Sequence, residues 1–154
     1  MNKKLIAGLS GVALVAVLGL AFSLNGRAEL PKMVVYKSPT CGCCSKWVDH
    51  MRAAGFTVET HDVRDVSPVK AQYGVSQRLA SCHTALVDGY VVEGHVPAEQ
   101  VKRLLEARPA VIGLAVPGMP MGSPGMEGAY AEAYDVLTFD AHGNTSVFAH
   151  IPAR

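Results

Sequence analysis

Three cysteines in four residues, Cys41-Gly42-Cys43-Cys44, stand between a strand-like run and a helix-like one. No other segment restricts the chain so strongly. Met33-Val34-Val35-Tyr36 is β-branched and aromatic and reads as a strand. Trp47, Val48, Met51 and Ala54 fall on one helical face, and Gly55 supplies the stop. Thiols at such a strand–loop–helix junction lie beside unpaired N–H groups and the positive end of a helix dipole. Both favour thiolate over thiol.

The rest of the chain continues the alternation of strand and helix. Phe56 to His61 reads as a strand, and Ser67-Pro68 opens a short helix that ends near Gly74. Thr84 to Val87 and Tyr90 to Glu93 flank Asp88-Gly89, a hairpin signal. Pro97 to Ala107 is a further helix, with Val101, Leu104 and Leu105 on one side. This order, with a cysteine loop after the first strand, resembles the thioredoxin-like fold. It predicts an α/β domain with a mixed four-stranded sheet flanked by helices. After Pro109 comes Val116-Pro117-Gly118-Met119-Pro120-Met121-Gly122-Ser123-Pro124-Gly125-Met126, which neither a helix nor an inner strand accommodates. Tyr134 to Phe139 and Thr145 to His150 read as a second hairpin around Asp140 to Asn144. The C-terminal Met-rich loop and β-hairpin are therefore expected to pack on the domain.

Residues 1–28 read as an address. Lys3 and Lys4 precede an uncharged run from Leu5 to Leu24, and Gly26 and Ala28 form a small-x-small site. A signal peptide cleaved after Ala28 is expected, although the run of about 20 residues also suits a retained membrane anchor. Either way the domain, residues 29–154, is exported. Cleavage takes three of 14 basic residues and none of 13 acidic ones, turning a net charge of +1 into −2. That balance excludes a nucleic-acid binder driven by basic charge. A charged fraction of only 18% excludes a disordered tail protein. The expected compartment is the periplasm, where disulfides are allowed.

The chemistry is expected in the sulfurs. Cys41 and Cys44 have the C-x-x-C spacing of a redox pair, which leaves a thiol-disulfide oxidoreductase open. A third thiol, Cys43, suits disulfide exchange poorly and a soft metal well. Cys82-His83 precedes the Thr84 strand, where a thioredoxin-like fold would bring Cys82 to the cysteine loop. His83 is then a ligand or orients one. Met119, Met121 and Met126 offer thioethers, which select Cu(I). Three Cys and one His also fit a structural zinc site, which leaves the methionines unexplained. Met33, Met51 and Trp47 read as core. His50 reads as a satisfied or surface residue, and His61 and His95 as structural groups within reach of the site. His142 and His150 are weak candidates.

Tyr36-Lys37-Ser38-Pro39-Thr40-Cys41-Gly42-Cys43-Cys44, Ser81-Cys82-His83-Thr84, Gly94-His95-Val96-Pro97 and Pro117 to Glu127 together resemble the periplasmic CopG-type copper-resistance proteins. The resemblance runs from about Met33 to Ile151. It implies a thioredoxin-like domain that serves copper tolerance and binds copper in a multinuclear, cysteine-bridged cluster. By matching position Cys41, Cys43, Cys44 and Cys82 form the metal site, with His83, Met119, Met121 and Met126 as further candidates. The implied partners are copper ions and other periplasmic copper-handling proteins. No nucleic acid is implied, and a membrane only if the N-terminal segment is retained.

Overall fold

Strand β1 (Met33–Lys37) alternates buried and half-buried residues, which places Met33, Val35 and Lys37 on one face of a sheet. The computed structural model to which it belongs describes residues 29–153, so the expected leader lies outside the described residues. Helix α1 (Gly42–Ala53) follows and buries Cys44, Trp47, Val48 and Met51, the face expected from their spacing. It starts earlier than expected: Cys41 is the N-cap, and Cys43 and Cys44 lie in the first turn rather than in a loop. It ends where Gly55, at φ +99°, donates to the Arg52 carbonyl and Phe56 donates to that of Met51. A glycine in that left-handed position closes the last turn without strain. The helix crosses over to β2 (Val58–Asp62), which pairs in parallel with β1.

Helix α2 (Ser67–Gln72) and a 3-10 turn (Gln77–Leu79) lead to β3 (His83–Val87) and β4 (Tyr90–Glu93). The connecting Asp88 and Gly89 both have positive φ, the geometry that matches the twist of a two-residue hairpin. Helix α3 (Ala98–Ala107) returns the chain to β5 (Gly113–Ala115), parallel to β4. Strands β6 (Tyr134–Phe139) and β7 (Thr145–Ile151) form the expected second hairpin.

The sheet is wider than the four strands expected. Among the described residues it has seven, in the order β2-β1-β3-β4-β5-β6-β7. The three-residue β5 accounts for the difference, because it pairs with β4 on one side and β6 on the other and so joins the second hairpin to the first. Met33, Val35, Val92 and Leu114 pack with Trp47, Met51, Val101 and Leu104 in one cluster, whereas Val91, Ala115 and Phe139 pack with Val75 and Leu79 in another. Adjacent strand residues point to opposite faces, so α1 and α3 cover one side and the Val75–Leu79 segment the other. Trp47 is fully buried, and its Nε1 donates to the Val96 carbonyl at 2.9 Å. Truncation to alanine there would cost about 3–5 kcal/mol.

The strand directions set the functional geography. The C-terminal ends of β1, β4 and β5 and the N-terminal end of β3 all lie at one end of the sheet. Every segment that bears sulfur chemistry leaves or enters there. Among the described residues no helix is long and apolar enough to cross a membrane.

Candidate metal centre

Cys41 adopts extended backbone, and its sulfur accepts the Cys44 N–H at 3.3 Å. The N-cap role folds the motif back on itself and gathers its three sulfurs. Cys41 and Cys44 are joined as a disulfide, whereas Cys43 and Cys82 are free thiols. The C-x-x-C pair therefore stands in its two-electron oxidised state. Cys43 Sγ lies 3.5 Å from Cys41 Sγ and 3.9 Å from Cys82 Sγ. The four sulfurs all lie within 4.8 Å of one another, as expected for Cys82 from its place before β3.

Cys82 has a second set of neighbours. The β3–β4 register pairs Thr84 with Glu93, and just past the end of β4 the Gly94 N–H donates to the His83 carbonyl at 3.1 Å. His95 Nε2 then lies 3.0 Å from Cys82 Sγ, and His83 Nδ1 3.4 Å from it. His95 Nδ1 is 2.8 Å from the Pro124 carbonyl oxygen, which can only accept. Nδ1 must therefore carry the proton, and the Nε2 lone pair faces Cys82. This is the arrangement by which an outer carbonyl orients a ligating histidine. The His83 ring is fully buried, tilted against Trp47 at 4.4 Å and edge-on to His95 at 5.1 Å. Its Nε2 is buried without a hydrogen-bond partner. Cys82, His83 and His95 thus form a second donor group within 4.8 Å.

Burial dominates the electrostatics. It holds the His83 imidazole well below its ordinary range, with His95, Lys70 and Lys37 acting in the same direction. It also lowers His95, against a rise from the Pro124 carbonyl and Glu127. Both rings are neutral at pH 7 and offer lone pairs. Burial, followed by the Cys43 neighbour, pushes the Cys82 thiol up to about 12. A cation arriving there must displace a proton. Soft thiolates beside neutral imidazoles suit Cu(I), Cu(II) or Zn, and not the oxygen-seeking Mg or Ca.

The methionine loop lies over this site, held by its backbone. The Gly118 N–H donates to the Ala80 carbonyl at 3.4 Å, and Ser81 Oγ donates to the Gly118 carbonyl. Gly125, at φ +90°, sits so close to α1 that a Cβ would meet the Cys43 carbonyl oxygen at 2.5 Å and the Trp47 nitrogen at 3.0 Å. Met126 follows and is half-buried. Met121 is half-buried, its Cε against Gly128. Met119 is 50% exposed. The loop backbone thus reaches both the cysteine helix and the Cys82 segment, while its methionines differ widely in exposure.

Three other histidines have partners elsewhere. His50 Nε2 accepts the Ala98 N–H at 3.1 Å and so satisfies the start of α3. His61 pairs with Glu59 and stacks on Tyr36. His150 pairs with Asp135. A cavity of about 960 Å³ is lined by Leu30, Ala54, Lys102, Leu105 and Arg108, with no Cys, His or Met among the described residues around it. His95 is the site residue that motif reading undervalued. The signal for it was present: a two-residue turn at Asp88-Gly89 fixes which residues face each other across the hairpin, out to Cys82 and His95.

The chain is similar to known proteins over most of its length. A family model described as "Protein of unknown function, DUF411" matches residues 79–126, which span Cys82, His83, His95 and the methionine loop. Two solved structures, described as copper resistance protein CopG, form 2 and form 1, are each 46% identical to this chain with a TM-score of 0.76. Each covers 80% of this chain, and 100% and 99% respectively of its own length is matched. No curated protein matches the chain.

Proposed function

The chain belongs to the CopG copper-resistance family, and from that premise we propose that it is an exported, periplasmic copper-binding protein that holds copper on Cys41, Cys43, Cys44 and Cys82. The observation that carries this reading is the sharing of Cys82. Its sulfur belongs both to the four-sulfur group and to the group with His83 and His95. A thiolate common to two donor sets could bridge two metal ions, which supports a multinuclear cluster over a single site. The donors are soft, and Cu(I) is the ion favoured once the Cys41–Cys44 pair is reduced. Met119, Met121 and Met126 are proposed as weaker thioether ligands or as a cover. The crossover helix between parallel β1 and β2, the antiparallel β3–β4 pair and the cysteines at the start of α1 support a thioredoxin-like core.

Copper tolerance follows if the site buffers copper or passes it to other copper-handling proteins. Residues 1–28 serve as a signal peptide in this reading, and N-terminal sequencing of the exported protein checks it. The deciding experiment is copper loading of the reduced protein under anaerobic conditions, with metal counting and X-ray absorption. More than one copper per chain in a sulfur-rich shell is expected. One zinc and no copper would replace this reading with a structural zinc domain.

The disulfide favours a second reading. Cys41 is half-buried, Cys44 is buried, and the two are bonded at the start of a helix. A thiol-disulfide oxidoreductase needs that pair and nothing else. It should keep its activity without Cys43 or copper.

A further inference from the structure

A fully buried carboxylate lies just behind the Cys82 segment and takes no part in the donor set. Glu93 ends β4 and has no exposed surface. Its Oε1 accepts from Lys70 Nζ at 2.5 Å and from the Ser81 backbone N–H at 2.6 Å. Its Oε2 accepts from Thr84 Oγ1 at 2.7 Å, and that hydroxyl accepts from Lys70 Nζ at 3.0 Å. Lys70 is itself buried. Taking two such charges out of water is costly, and an apolar pair of the same volume is often as stable. Stability alone therefore does not account for the pair.

One bond of this network reaches an irregular segment. The 3-10 turn ends at Leu79 and β3 begins at His83, so Ala80, Ser81 and Cys82 lack regular pairing of their own. Glu93 holds Ser81 from the inside, and Gly118 holds Ala80 and Ser81 from the outside. Gly94, next to Glu93, has φ +72°, and a Cβ there would lie 2.5 Å from Ser81 Cβ. Only a glycine lets the segment come so close. Glu93, Gly94 and His95 thus successively grip Ser81, make room for it, and meet Cys82.

We propose that Glu93 is a positioning residue for Cys82. Its carboxylate fixes the Ser81 N–H, and through it the sulfur that both donor groups share, while Lys70 supplies the counter-charge that a buried carboxylate needs. A carboxylate suits the task because it accepts from three donors at once and donates to none. Ligand sites lose affinity when a support moves the ligand by a fraction of an ångström. The metal half of this inference rests on the copper reading above; the Ser81 half does not.

Two charge-free double variants test it. Lys70→Met with Glu93→Gln removes both charges but keeps an acceptor for Ser81. Lys70→Met with Glu93→Leu removes the charges and the acceptor. In the metal-free reduced protein, the Ser81 amide should stay protected from hydrogen exchange in the first and exchange at least tenfold faster in the second. Cu(I) competition should give affinity within about threefold of wild type for the first and at least tenfold weaker for the second, the loss expected when a buried support is removed. Equal Ser81 protection or equal Cu(I) affinity in the two variants overturns the proposal. If the leucine variant does not fold, Glu93→Asp, one methylene too short to reach, takes its place with the same expected loss, and wild-type behaviour overturns the proposal. A wild-type protein that binds no copper would instead remove the copper reading, and Ser81 exchange would still decide the role of Glu93.

Discussion

The sulfur of Cys82 faces Nε2 of His95 at 3.0 Å across the open end of the β3–β4 hairpin. One lies just before β3 and the other just after β4, so the same tight turn that builds the hairpin brings them together. The imidazole is held in the tautomer that offers a lone pair, and the thiol beside it is the one shared by both donor groups.

The two residues should therefore fail differently. His95→Ala removes one terminal donor and should weaken Cu(I) binding about 10–100-fold while leaving copper on the cysteines. Cys82→Ser removes the proposed bridge and should lower the number of coppers bound by more than one. Metal counting and competition titration on the two variants check this. Equal stoichiometry in both would mean that Cys82 is not shared.

Cys43→Ser separates the copper reading from the oxidoreductase reading. Cys43 Sγ lies 3.5 Å from the Cys41 sulfur and 3.9 Å from that of Cys82, so its loss should collapse copper binding although Cys41 and Cys44 remain. Disulfide-exchange activity that survives in this variant, together with normal copper binding, would favour the oxidoreductase.

Two changes to the methionine loop should part ligation from covering. Met119, Met121 and Met126 changed together to Leu keep the apolar volume, so the fold should persist while Cu(I) leaves faster. Gly125→Ala keeps every sulfur, but its Cβ would collide with the Cys43 carbonyl and strain a left-handed backbone. It should cost about 1–3 kcal/mol of stability and displace the loop. Unfolding curves and copper transfer to a chelator distinguish the two. An unchanged release rate in the triple variant reduces the methionines to packing.

Acid should weaken both fold and site. His83 and His95 are lowered from 6.5 by burial, whereas in the unfolded chain they take protons near that value. Below about 6.5 the unfolded chain binds more protons, so stability falls as pH drops and is undiminished above. Cys82 acts on the metal in the same sense. Its thiol, pushed up to about 12, keeps its proton at neutral pH, and copper bound as proposed would have to displace it. Apparent affinity should rise about tenfold per pH unit from that one proton. Thermal unfolding of the metal-free protein from pH 7 to 5, and Cu(I) competition from pH 6.5 to 8, check both; a flat profile in either contradicts its half.

Strand alternation, the helical face of Trp47, Val48 and Met51, and the Asp88-Gly89 turn were legible because each is a local pattern with a local cause. Strand β5 was not, because Gly113-Leu114-Ala115 is too short to show a period and owes its place to β4 on one side and β6 on the other. The width of the sheet went unread with it. The cluster of Cys41, Cys43 and Cys44 was plain from spacing, and that of Cys82 from its position before β3. His95 required carrying the hairpin register past the strand ends. The Lys70–Glu93 pair left no trace in the sequence, since two charges 23 residues apart announce nothing until the fold buries them together.

The ends of β1, β3, β4 and β5 meet at one end of the sheet, and the donor atoms hang from them. Copper held there would rivet the chain. Cys43 and Cys82 are 39 positions apart and Cys82 and His95 13, so one bound cluster closes both circuits, as a disulfide would but reversibly. An ion that binds only the folded form, at a hundred times its dissociation constant, adds about 2.7 kcal/mol. The lifetime of the protein against proteolysis would then rise with the copper it meets. The molecule would persist where the metal is abundant and be cleared where it is scarce, with no separate sensor.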